Sequence, residues 1–249
     1  MKRLLTGNEA LALGALRAGV RVVTGYPGTP STGAIESLLH RQPPGVHVEW
    51  STNEKVAFEI AAGAAWAGQR ALCTMKMSGL NVAYDSVISV AYSGCVGGLV
   101  IYVADDPGAS AGMAEQDTRG FAIMSDLPML DAPSVPKAYE LVQHAFEISE
   151  RVGTPVFVRL VTSIAHSKAP VDVEEPPPPP ERTPQLIRDI ARFTKAGSAI
   201  CTAQHRDLIE RLARAGEVIR ELGLNRLDLA SRPGGSVSYT HLRAHETRH

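Results

Sequence analysis

Gly98-Leu-Val-Ile-Tyr-Val103 is an unbroken apolar run bounded by glycines on one side and by the turn-forming Asp105-Asp106-Pro-Gly108 on the other. It does not alternate between apolar and polar residues. Such a segment reads as a strand covered on both faces, the signature of a parallel sheet flanked by helices. Working outward, Ala71-Leu-Cys-Thr-Met75 and Pro155-Val-Phe-Val-Arg-Leu-Val161 read the same way, and Val20 to Thr24 and Val46-His-Val-Glu-Trp50 are of strand length.

Helical patterns fill the intervals. Thr6-Gly-Asn-Glu9 is a capping box that opens a helix through Leu11, Leu13, Ala15 and Leu16, stopped by Gly19. Pro30, preceded by Thr29 as cap, suits the first position of a helix through Ile35, Leu38 and Leu39. Ser51-Thr-Asn-Glu54 reads as a second capping box, opening a helix through Val56, Phe58 and Ile60. Leu80 to Ala91 and Ser134 to Arg151 complete the set. Strand and helix alternate about six times, and right-handed crossovers then dictate an α/β fold with a doubly wound parallel sheet.

This domain is expected over residues 1–170, followed by a Pro-rich linker at 171–184 that includes Pro176 to Pro180. Five consecutive prolines in an acidic stretch make a stiff extended spacer. Residues 185–229 read as the start of a partial second α/β segment, helical and charged around a strand-like Ala199-Ile-Cys-Thr202.

Composition narrows the function classes. The 249 residues are 44% hydrophobic and 20% charged, with a formal net charge of −1, so a full core can form. A near-neutral balance offers no electrostatic footprint for nucleic acid or an anionic membrane. No apolar run approaches the roughly 20 residues of a membrane span, and the N-terminus lacks a signal-peptide core, so the expected location is the cytoplasm. Cys73, Cys95 and Cys201 are far apart and form no CxxC pair, excluding a disulfide framework or a self-contained metal cluster site.

Ligands of open α/β sheets sit at the carboxyl ends of the strands. Four polar clusters fall there: Tyr26 to Thr32, Ser51 to Glu54, Thr74 to Asn81 and Ala104 to Arg119. None is a GxGxxG or Walker loop. Each also has a purely local explanation. The first is turn-and-cap chemistry, Glu54 a cap residue, Asn81 a helix cap, Lys76 a solvated cation, and Arg119 the partner of Glu115 or Asp117 in a surface ion pair. Residue types alone therefore stop at a ligand-binding α/β domain with its site at the strand tips.

The clusters taken together carry a resemblance. Gly25-Tyr-Pro-Gly-Thr-Pro-Ser-Thr32, Glu49-Trp-Ser-Thr-Asn-Glu-Lys-Val-Ala57, Thr74-Met-Lys76, Gly79-Leu-Asn-Val-Ala83, Ala104-Asp-Asp-Pro-Gly108 and Glu115-Gln-Asp-Thr-Arg119 occur in this order. They resemble the N-terminal pyrimidine-binding domain of the indolepyruvate:ferredoxin oxidoreductase alpha subunits, within the thiamine diphosphate-dependent 2-oxoacid:ferredoxin oxidoreductases. The resemblance covers about residues 1–170 and continues more weakly to about 229.

The resemblance implies a thiamine diphosphate-binding fold and oxidative decarboxylation of a 2-oxo acid, with coenzyme A and ferredoxin as co-substrates. Glu54 matches the carboxylate that hydrogen-bonds the aminopyrimidine ring and favours the tautomer able to take the thiazolium C2 proton. Thr29 matches a position near the thiamine ring and the substrate carboxylate. Arg119 matches one that meets that carboxylate, and Asn81 one that lines the cofactor pocket. A smaller partner subunit and a homo- or hetero-oligomer are also implied, with no nucleic-acid or membrane partner.

Two segments depart from the family pattern. Met77-Ser78 stands where the family has His-Val, and Ala109-Ser-Ala-Gly-Met-Ala114 replaces a loop richer in Ser, Gln and Asn. An arylpyruvate such as indolepyruvate is the implied substrate, with pyruvate, 2-oxoglutarate or a branched 2-oxo acid as the alternative within the same chemistry. A non-catalytic α/β binding module is the alternative outside it. The Gly-Asp-Gly motif that grips diphosphate through Mg²⁺ and the cysteines that ligate [4Fe–4S] clusters are not in this sequence, so the chain is expected to be an N-terminal fragment, inactive alone. Residues 230–249, carrying three of the eight histidines, resemble a translated sequencing adapter and are expected to be non-native.

Overall fold

A computed structural model describes residues 1–177, 182–185 and 187–225. Six strands form one parallel sheet in the order β3 (His47–Trp50), β2 (Val22–Gly25), β4 (Ala71–Lys76), β5 (Leu99–Asp105), β7 (Val156–Val161) and β6 (Met129–Asp131). Side-chain alternation explains why these strands read as continuous apolar runs. Val100, Tyr102 and Ala104 of β5 enter one core, with Leu72, Val156, Val158 and Leu160, while Leu99, Ile101 and Val103 enter the other, with Cys73, Met75 and Phe157. Helices α1 (Gly7–Arg17), α2 (Thr32–Arg41) and α6 (Val135–Val152) cover the first face; α3 (Glu54–Trp66) and α4 (Met77–Ser93) cover the second. The doubly wound parallel sheet is therefore as expected.

The helix starts differ from expectation in two places, each for a backbone reason. Thr6 and Glu9 do form a reciprocal capping box on α1. At Ser51, however, the amide donates to the Gly25 carbonyl at 2.9 Å and so extends the strand pairing. Helix α3 consequently starts later, with Asn53 as its cap, its side chain accepting from the Val56 amide at 2.9 Å. Pro30 is not the first residue of α2 either. The Gly28 carbonyl accepts from the amides of Ser31 and Thr32, closing a turn that contains a cis Thr29–Pro30 bond before the helix opens at Thr32.

Around position 170 the chain returns to its N-terminus. Strand β8 (Lys168–Asp172) pairs antiparallel with β1 (Lys2–Thr6) in a separate two-stranded sheet, tying residues on both sides of position 170 to the N-terminus. Residues 187–225 hold α8 (Ile190–Phe193) and α9 (Ser198–Glu221), with no strand among the described residues. The strand-like Ala199–Thr202 is the first turn of α9, whose Leu208, Ala215 and Val218 bury against the sheet-covering helices. Of the proline run, residues 178–180 lie outside the described residues, as does the whole of 230–249. No helix among the described residues is long and apolar enough to cross a membrane.

Candidate functional site

Strand order reverses between β2 and β4: the chain proceeds from β2 outward to β3, then returns to β4 on the other side. A crevice at the carboxyl ends of the strands opens at such a switch point. The turn after β2, the start of α3 and the start of α4 all converge there.

Glu54 is the first residue of α3 and is buried at 6% exposure. Because Asn53 caps the helix, the Glu54 carboxylate is released from the capping duty that the sequence pattern suggested. It lies instead against the first turn of α4. A Cβ built on Gly79 would meet Glu54 Oε1 at 2.5 Å, Cγ at 2.6 Å and Cδ at 2.8 Å, so any larger residue there would displace the carboxylate from this place. Among the described residues no group donates a hydrogen bond to it. The side chain is packed, yet its carboxylate oxygens are not among the fully buried atoms without a partner, so they stay open to the crevice. This cradle therefore fits a ligand that brings its own N–H, as an aminopyrimidine ring would.

Thr29 is exposed at the mouth of the crevice, on a turn held from both sides. Within the turn, Gly28 N donates to Thr32 Oγ1 and the Ser31 hydroxyl to Gly28 O, both at 2.8 Å. From the core, the buried Asn8 amide donates to Pro30 O at 2.8 Å while its oxygen accepts from the fully buried Tyr102 hydroxyl at 2.7 Å. Asn8 is a positioning residue that the sequence reading missed. The signal available was a lone amide in the first turn of an otherwise apolar helix.

Asn81 is exposed, two residues beyond Gly79 and hence on another face of α4. It makes a reciprocal amide pair with Gln116 of the loop after β5, at 3.1 and 2.9 Å. Arg119 opens α5 (Arg119–Ser125) and is engaged by Asp117, with Nε donating to Oδ1 at 2.8 Å and to Oδ2 at 3.0 Å. That bond holds the Asp117 carboxyl down at about 2. Arg119 lines a cleft of about 440 Å³ with Ile123, Met129 and Asp131. Neither Thr29 nor Glu54 lines that cleft, whereas Gln116, three residues before Arg119, reaches the start of α4 through Asn81.

The Asp105-Asp106 pair does more than form a turn. Asp105, fully buried, accepts from Arg159 Nε at 2.6 Å and from the Thr118 amide at 3.0 Å, while Arg159 also reaches Asp131 at 2.7 Å. Asp106 collects the Thr162 and Ser110 hydroxyls and the Ala111 and Gly112 amides. Burial works to raise its pKa, but those four donors prevail and hold the carboxyl far below the usual range. Asp106 thus fixes residues 107–112 above Met77 at the start of α4, where a Cβ on Gly112 would meet Met77 Cε at 2.8 Å. Burial pushes the Cys73 thiol up to about 12 and Cys95 to about 11, so neither is a nucleophile at neutral pH. Among the described residues no cluster of three His, Cys, Asp or Glu side chains fits a metal ion.

A family model described as "Pyruvate flavodoxin/ferredoxin oxidoreductase, thiamine diP-bdg" matches residues 13–212. The indolepyruvate oxidoreductase subunit IorA of Pyrococcus horikoshii is 46% identical over 177 residues, covering 71% of this chain and 27% of that protein. The IorA subunit of Methanothermobacter thermautotrophicus is 38% identical over 228 residues, 91% of this chain and 36% of its own length. The 2-oxoglutarate synthase subunit KorA of Methanocaldococcus jannaschii is 29% identical over 177 residues, 67% of this chain and 48% of that one. The chain thus spans about a quarter to a third of the IorA subunits it matches. Among solved structures, a 2-oxoglutarate:ferredoxin oxidoreductase from Magnetococcus marinus superposes with a TM-score of 0.74 at 17% identity, over 87% of this chain and 45% of that one, a likeness of fold.

Proposed function

This chain belongs to the thiamine diphosphate-binding family of pyruvate flavodoxin/ferredoxin oxidoreductases, and on that premise we propose that it supplies the pyrimidine-side half of a thiamine site in a 2-oxo acid:ferredoxin oxidoreductase of the indolepyruvate type. The observation that carries the reading is the Glu54 carboxylate, buried, without a described donor, and seated where a Cβ on Gly79 would stand. Thiamine diphosphate, when bound, supplies the carbon nucleophile for decarboxylating a 2-oxo acid.

The chain's own residues orient and protonate. Glu54 holds a proton at an aminopyrimidine ring nitrogen, with its position fixed by Asn53 on one side and Gly79 on the other. The Thr29 turn, braced by Asn8, walls the ring and excludes water from that side. Asn81, paired with Gln116, ties the loop after β5 across the start of α4 and so closes the crevice from above. The diphosphate with its Mg²⁺ and the iron–sulfur clusters belong, on this reading, to parts of the oxidoreductase outside this chain. Coenzyme A, ferredoxin and a smaller partner subunit complete the proposed assembly.

The test is made on the complete subunit carrying these residues, assembled with its partner. Glu54→Gln is expected to lower coenzyme A-dependent ferredoxin reduction roughly a hundred-fold or more, the scale of a lost acid–base group. Unchanged turnover would make Glu54 an architectural residue and favour a non-catalytic module. A panel of indolepyruvate, phenylpyruvate, pyruvate, 2-oxoglutarate and a branched 2-oxo acid then assigns the substrate.

A further inference from the structure

Lys76 ends β4 and is the residue before α4, which places it at the strand-order reversal itself. Its hydrocarbon stem lies along Gly28. A Cβ built there would come within 2.7 Å of Lys76 Cδ, 2.8 Å of Cγ and 3.2 Å of Cε, so the missing side chain is what makes room for the stem. The stem thus packs against the turn that carries Thr29.

The charge at the end of that stem is unpaired. Lys76 is half-buried, and among the described residues no carboxylate lies within ion-pair distance of Nζ. Lys55 and Lys137, by contrast, reach Asp85 at 3.1 Å and Glu140 at 2.7 Å. Three residues along the same chain, Gly79 receives the buried Glu54 carboxylate. A substrate carboxylate entering this crevice meets repulsion from Glu54 that only a nearby cation can offset. The Arg119 guanidinium is already engaged by Asp117 in this structure, whereas the Lys76 ammonium has no such partner among the described residues.

We infer that the Lys76 ammonium, resting on its Gly28-packed stem, is the group that receives the carboxylate of the 2-oxo acid. This inference rests on the thiamine reading above. An ammonium on a flexible stem imposes a looser geometry than a planar guanidinium fork, which suits a pocket that must admit acids with bulky side chains.

The experiment uses the complete, thiamine-loaded oxidoreductase. Amine acylation is read residue by residue by mass spectrometry, with saturating indolepyruvate, with its methyl ester, and with neither. The acid is expected to reduce acylation of Lys76 at least three-fold while the ester leaves it unchanged, with Lys55 and Lys168 indifferent to both. No protection of Lys76, or equal protection by the ester, overturns the assignment. In steady-state assays Lys76→Gln is expected to raise KM for the acid roughly ten-fold or more, as loss of a charged hydrogen bond does, with a smaller change in kcat. A rise in KM for Arg119→Gln with none for Lys76→Gln would return the role to Arg119. Retained thiamine diphosphate, assayed in the same samples, separates the two failures. Cofactor present with Lys76 unprotected removes Lys76 alone, whereas cofactor absent removes the thiamine reading and this inference with it.

Discussion

At the amino ends of the sheet strands, charged side chains are saturated with partners; at the carboxyl ends, Arg159 pairs with Asp105 and Asp131, but Glu54 and Lys76 have no partner among the described residues. Arg211, 3% exposed, donates to the Ala91 and Tyr92 carbonyls at 2.9 Å, to Thr154 Oγ1 at 3.2 Å and to Asp207 at 2.7 Å. Arg192 reaches the Ser93 and Cys95 carbonyls at 3.1 and 2.7 Å, and Arg70 and Arg182 share Glu150. These guanidinia meet the carbonyl ends of α4 and of the helices beside it, where the helix dipole favours cations. Across the sheet, Glu54 and Lys76 find no such partners among the described residues. The contrast sets Glu54 and Lys76 apart from the partnered charges at both edges.

The sharpest way to break this comparison is to remove its best-satisfied member. Arg211→Met leaves several carbonyls at the ends of α4 and α6 without donors and is expected to cost about 3 kcal/mol, read from the denaturant midpoint of the 249-residue chain. A loss below about 1 kcal/mol would show that α9 is a loose appendage and that the amino edge is not held by its arginines. At the other edge, Gly79→Ala drives a methyl group into the Glu54 carboxylate. Overpacking of this kind is expected to cost about 2 kcal/mol, and thiamine diphosphate retention by the complete protein should fall with it. Full retention would mean that Glu54 has room to move and that the cradle is not specific.

The sheet was legible in the sequence because parallel strands buried on both faces leave an unmistakable apolar run, as at Leu99 to Val103. The short strands β1, β6 and β8 were not, since Lys2–Thr6 and Lys168–Asp172 are a two-stranded edge with mostly exposed side chains. Helix starts misled for a different reason. Ser51 and Thr29 have the right chemistry for caps, but their backbones are committed to strand pairing and to a turn. In the site, Glu54 could be singled out by spacing, whereas the role of Gly79 could not. What matters there is the absence of a Cβ opposite a residue 25 positions earlier, a relation that only the packed fold displays. The roles of Asn8 and Arg211 were hidden for a related cause: each also bonds main-chain carbonyls distant in sequence, which carry no residue identity.

A milder test uses acid. Burial works to raise the Glu150 carboxyl, but the hydrogen bonds and charges of Arg70 and Arg182 prevail and bring it to about 2. A group depressed in the folded state stabilises fully above its unfolded pKa of roughly 4.3 and loses that stabilisation as pH falls toward the folded value. The unfolded chain binds the extra proton in that window, so stability falls with falling pH between about 4.3 and about 2. Glu150→Gln is expected to flatten this part of the stability–pH curve. Asp106 and Asp117 are also held low and keep part of the slope, so an unchanged curve would assign the acid sensitivity to the loop after β5.

The smallest expected effect is on stability at Glu54. Glu54→Gln keeps the size and shape of the side chain while replacing a carboxylate that has no donor among the described residues. No hydrogen bond within the chain is lost, so stability should change by less than about 1 kcal/mol in either direction. Denaturant titration of the 249-residue chain measures this directly, with no cofactor present. A decrease larger than about 1 kcal/mol would mean that Glu54 belongs with the satisfied groups of the amino edge, and the division between the two edges would fail at its central residue. A neutral outcome, alongside a large loss of turnover in the complete enzyme, would show a carboxylate that folding does not need. The two measurements on one substitution thus separate an architectural glutamate from one kept for a ligand.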